Sequence, residues 1–286
     1  MLGAHLHHEY REQPGHAEFY GVALIGTHSF KQNITGGAFE ALAAGTGDAL
    51  AVPNFVDGSR AYMLEAWGAS SAAVADFSIR SPSFHDNTRG IRMAQNIKPA
   101  AGDPQLLLPW LIRQPLYRSD VLIAEVNGTA TNNLALDWLA YFENLEGADQ
   151  NLHSWAEIEN RAENMVSIFV GPTAGAAGDW GATRALNADD DRLIANTDYA
   201  ILGATSQLRC EALAIVAPET SNRKLTMPLH DVENLCADWF VQLSQNYSLP
   251  LIPVVNSNNK GNITLQVADP NGATVPHVTL HLMELG

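Results

Sequence analysis

The stretch from Trp110 to Trp138, WLIRQPLYRSDVLIAEVNGTATNNLALDW, returns in altered form from Trp239 to Val267 as WFVQLSQNYSLPLIPVVNSNNKGNITLQV. Without a gap, eight of 29 positions are identical: Trp110/Trp239, Ser119/Ser248, Leu122/Leu251, Ile123/Ile252, Val126/Val255, Asn127/Asn256, Asn133/Asn262 and Leu136/Leu265. Earlier segments match in the same order. Phe77-Ser-Ile79-Arg-Ser-Pro82 answers to Leu213-Ala-Ile215-Val-Ala-Pro218, and Arg89-Gly-Ile91-Arg-Met93 to Arg223-Lys-Leu225-Thr-Met227. The spacing between matched segments drifts along the chain, as small loop insertions make it do at little thermodynamic cost. A chain that repeats itself must fold each copy into a similar unit, so the repeat constrains the fold before any local pattern does.

Each copy reads as short strands. Tyr20–Ile25, Tyr62/Leu64/Ala66, Val121–Val126, Leu134/Leu136/Trp138, Met165–Val170, Leu249–Val255 and Val275–Leu285 carry apolar or alternating patterns between turn residues. Leu152–Ile158 is the expected partner of the final strand. In both copies a strand stops at a proline (Pro82, Pro218), which cannot continue a central ladder. Leu229–Gln245 spaces Val232, Leu235, Cys236, Trp239 and Leu243 as a helix does, and a turn or two around Leu111 and Ile112 is its shorter counterpart. A parallel α/β sheet needs a helix after nearly every strand. The pattern therefore predicts an all-β chain of two tandem eight-stranded jelly-roll sandwiches, with a short helix inserted before the late strands of each. A tandem immunoglobulin-like pair competes, but its domains are nearer ~100 residues and lack that helix. The expected division is an N-terminal arm at 1–18, a first jelly roll at 19–160 and a second at 161–286.

Composition narrows function mainly by exclusion. The net charge is −15, with 18 acidic and nine basic residues in 1–160 and 13 and seven in 161–286. Neither half has the basic stripe that phosphate recognition needs, so no sequence-specific nucleic-acid binding is expected. Cys210 and Cys236 form no disulfide framework and no metal-ligand spacing. The first residues lack the basic and apolar regions of a secretory signal, so synthesis in the cytoplasm is expected and the four Asn-x-Ser/Thr sequons read as turn chemistry.

No catalytic, cofactor-binding or metal-ligating set emerges. Gly171–Gly178 is glycine-rich but has no Lys-Ser/Thr after it, so it reads as a flexible loop and not a phosphate cradle. There is no Gly-x-Ser-x-Gly elbow. His5, His7, His8 and His16 lie with Glu9 and Glu12 in the polar arm, which is read as a terminus that a partner would have to tie down. His277 and His281, four apart on a strand, stand roughly 13 Å from one another, too far to share an ion. Asp189-Asp190-Asp191 reads as an acidic turn in preference to a calcium site. The tryptophans read as core plugs in preference to ligand platforms.

With these features in place, the chain resembles the double jelly-roll major capsid proteins of tailless icosahedral bacteriophages, the small relatives of adenovirus hexon. The resemblance spans Tyr20 to Leu285 and rests on unit length, repeat order and the helix before the late strands; no residue motif defines the family. It implies a structural protein and no enzyme. That protein would be a homotrimer forming pseudo-hexagonal capsomers, located in the virion capsid. Its further partners would be neighbouring capsomers, minor capsid or vertex proteins and an internal membrane. Two other classes stand beside it: a tandem sandwich that binds a receptor or carbohydrate, as a viral spike does, and a hydrolase built on paired jelly rolls.

Overall fold

The computed structural model describes residues 22–34, 40–41, 43–44, 60–70, 76–80, 91–92, 105–106, 114–116, 123–127, 133–145, 150–207, 210–229, 236–269, 272 and 275–286. The arm at 1–18, with its four histidines, and the helical turns expected around Leu111 lie outside them. The regular structure of these residues is mainly antiparallel strand, with two α-helices and two short 3-10 turns.

In the first half the strands are β1 (Val22–Ile34), β2 (Glu40–Ala41), β3 (Ala43–Ala44), β4 (Arg60–Ser70), β5 (Asp76–Arg80), β6 (Ile91–Arg92), β7 (Gln105–Leu106), β8 (Gln114–Leu116), β9 (Ile123–Asn127) and β10 (Asn133–Leu145). In the second come β11 (Leu152–His153), helix α1 (Trp155–Arg161), β12 (Ala162–Val170), β13 (Arg184–Ala185), β14 (Asp198–Ser206), β15 (Cys210–Val216) and β16 (Leu225–Leu229). Helix α2 (Trp239–Tyr247), β17 (Ile252–Asn256), β18 (Thr264–Ala268) and β19 (Val278–Leu285) complete it.

Four sheets result. The first half pairs its strands in the order β3-β1-β10-β4-β7, with β8 also on β4, and β2-β9-β5-β6. The second pairs them as β11-β17-β14-β19-β12 and β13-β18-β15-β16. The two halves thus use one pairing scheme. The first strand lies on the last (β1 on β10, β12 on β19), and the last on the second long strand (β10 on β4, β19 on β14).

The agreement extends to single residues. Ile79 stands between Ile91 and Ala124, and Ile215 between Leu225 and Leu265. Phe77 faces Val126 as Leu213 faces Val267. Both halves also carry a one-residue bulge at the same place. The β10–β4 ladder skips Leu64, between Met63 and Glu65, and the β19–β14 ladder skips Leu202, between Ile201 and Gly203. A bulge kinks its strand and leaves one residue unpaired.

Three expectations change. The partners of β19 are β12 and β14. Leu152–His153 instead joins β17, and Trp155–Arg161 is helical because Ser154 and Glu157 make a reciprocal capping box that starts a helix there. Helix α2 begins at Trp239 and not at Leu229, which ends strand β16. The late-strand alignment also shifts. Sequence identity sets Val126 against Val255, whereas strand pairing equates Val126 with Val267 and gives Val255 the place of Leu116 on the neighbouring strand.

In the second half the core lies between the two sheets. Ile168, Val170, Leu280 and Leu282 point inward from one sheet, and Leu213, Ile215, Leu265 and Val267 from the other, each no more than 1% exposed. Removing such side chains from water supplies about 1.5–3 kcal/mol apiece relative to leaving them exposed. Pro228 sits in β16, the edge strand of its sheet, where a missing ladder N–H is tolerated.

Candidate functional site

The polar features singled out in the sequence turn out to be structural ties. In the loop after β13, Asp189 accepts from Arg184 and from the Gly171 N–H (2.9 Å), Asp190 from Arg192 (2.9 Å), and Asp191 from Lys260 (2.6 Å). The Arg184 guanidinium, followed by the Gly171 N–H, holds the Asp189 carboxyl below the usual carboxylate range. The three carboxylates diverge towards three different cations. No group of three or more metal-ligating side chains converges among the described residues.

His281 points outward from β19. Its Nδ1 lies 3.2 Å from Ser167 Oγ on β12 and its Nε2 3.1 Å from Thr205 Oγ1 on β14, so one ring ties three adjacent strands. Burial pushes its pKa below the ordinary histidine value. His277 stacks on Phe169, ring centroids 5.0 Å apart. The two histidines serve different contacts, and His277 lies one residue ahead of β19 and not on the strand expected to carry both.

The glycine-rich stretch is tethered along β18. Gly178 N–H donates to Asp269 O (2.8 Å), Gly181 N–H to Val267 O (3.0 Å), and the Gln266 side chain returns a bond to Gly181 O (2.7 Å). The backbone comes so close at Gly181 that a Cβ there would sit 1.7 Å from Thr173 O. Glycine is required for that approach.

A polar cluster that the sequence did not announce gathers on Glu219. Its Oε1 accepts from the Asn256 N–H (3.0 Å) and from Asn259 Nδ2 (2.7 Å), while Asn256 Nδ2 donates to Asp198 (2.8 Å). These bonds fix the end of β17 against the turn after β15.

The most buried functional candidate is the junction of the two halves. Helix α2 covers β14 and β17 of its own half. It also reaches the first, where Trp239 meets Trp67 edge to face, with centroids 6.0 Å apart and planes at 74°. Tyr247 donates its hydroxyl to the main-chain carbonyl of Leu64, the bulged residue of β4. Leu64 and Trp67 are fully buried and Trp239 is 7% exposed, so these tryptophans are core residues, as the sequence suggested. Trp155 and Trp180 pack partly buried against the same core. In the second half the chain itself lies beside the matching bulge: Ala204 N–H, two residues past Leu202, donates to Cys236 O (2.9 Å), at the turn that opens α2. A Cβ on Gly203 would lie 2.2 Å from that same oxygen. The start of the helix thus lies next to one bulge, and its side chains engage the other.

No family model matches the chain, and no curated protein does. Comparison with solved structures returns the crystal structure of the STIV MCP, at 8% identity and a TM-score of 0.20, covering 93% of this chain and 97% of that one. A second structure, from the Sulfolobus turreted icosahedral virus, covers 92% of this chain and 91% of that one at 9% identity and a TM-score of 0.18. A Cupin 2 conserved barrel domain protein from Leptotrichia buccalis covers 92% and 88% at 11% identity and a TM-score of 0.20. Scores this low do not establish a shared fold, and the strand pairing stands on its own.

Proposed function

We propose that this chain is a structural coat protein: a major capsid protein whose two halves are tandem eight-stranded jelly rolls. Three copies would close into a pseudo-hexagonal capsomer of an icosahedral virion. The observation that carries this reading is the pairing scheme repeated in both halves, down to the residue opposite Ile79 and Ile215 and the bulges at Leu64 and Leu202. Two similar sandwiches in one chain give a protomer with pseudo-twofold repetition. Three such protomers around a threefold axis present six similar units, the condition for tiling a near-hexagonal lattice through heterologous contacts. The buried Trp67–Trp239 contact fits this role, since a building block must keep its two units in fixed relation. We propose that the division between units falls ahead of Gln150, since among the described residues β11 pairs with β17 alone.

In this reading the protein is no enzyme, its partners are copies of itself and neighbouring capsomers, and the arm at 1–18 contacts adjoining capsomers. Light-scattering mass measurement with negative-stain microscopy of the purified protein tests it. Trimers or shells are the expected result; a stable monomer at all concentrations overturns it.

A further inference from the structure

We draw no further inference here: the strongest candidate, the polar cluster at the end of β17 in which Asn256 and Asn259 hold one carboxylate oxygen of Glu219 and leave Oε2 buried without a hydrogen-bond partner, carries nothing, because no group of metal-ligating side chains converges there among the described residues and nothing in the structure shows what would meet that oxygen.

Discussion

The Tyr247 hydroxyl reaches across 183 residues to the carbonyl of Leu64, the residue that the β10–β4 ladder leaves unpaired. A bulge frees a backbone acceptor from its sheet, and a freed acceptor that is buried needs a donor. The second half supplies that donor from a helix. Tyr247→Phe should therefore strand a buried carbonyl at a cost of about 1–3 kcal/mol. Chemical denaturation should show it as a lower midpoint, and a variant as stable as the wild type would show that the hydroxyl contributes nothing.

Gly181 and Gly261 make a matched pair of tests. Gly181→Ala forces a Cβ to within 1.7 Å of Thr173 O, against backbone that cannot yield, so a loss of about 1–3 kcal/mol or more is expected. Nothing lies within 4 Å of the Cβ site of Gly261, where φ is not positive, so Gly261→Ala should be neutral or stabilise by about 0.4–1 kcal/mol. Thermal melts of the two variants should move apart.

Helix α1 depends on its N-cap, Ser154. Ser154→Ala removes the cap and should cost about 1 kcal/mol. The Ser154 main-chain N–H, donating at 2.7 Å, is the main reason the Glu157 carboxyl titrates below its ordinary value. A depressed carboxylate stabilises the fold above its unfolded value, and that contribution disappears as pH falls through the folded one. Glu157→Gln should flatten the acid limb of a plot of melting temperature against pH; an unchanged limb would remove Glu157 from its cause.

For His281 the sign is the opposite in charge and the same in direction. Burial favours the neutral ring, so the unfolded chain takes up the proton first as pH drops below the ordinary value of 6.5. Stability should fall through that window and level off below the folded value. His281→Gln, which keeps polar contact with the flanking strands, should show a shallower fall, read from melts on either side of the window.

Added calcium should leave the melting temperature unchanged. Asp189, Asp190 and Asp191 are each paired with a cation of the chain, and displacing Arg184, Arg192 and Lys260 would cost what the ion gained. A concentration-dependent rise would reveal a site that these pairings do not describe.

Sequence legibility followed the physics of each feature. The segments around Ile79 and Ile215 matched correctly, because a proline and a polar turn punctuate both copies at the same distance. The late strands matched one strand too early. Apolar alternation has a period of two in every strand, so Val126 resembles Val255 and Val267 alike, and only pairing tells them apart. Strand β1 extends to Ile34 through Gly26-Thr-His-Ser, which no apolar pattern marks; its equally long partner β10 holds it. The aspartate triplet read as a bare turn because one of its cations, Lys260, lies 69 residues away. The junction was legible only in its residue types, since a tryptophan announces burial and not the partner it will meet.

Among the described residues, every strand from β11 to β19 pairs only with others of that set. A chain severed just before Gln150 would keep all the ladders of its second half and lose none. What it would forfeit is the neighbour that shields Trp239 and receives Tyr247, leaving an indole and a phenol bare to water. Such a fragment would be complete in its described ladders and adhesive on one flank, ready to clump with whatever offered it a replacement for Trp67 and the Leu64 carbonyl.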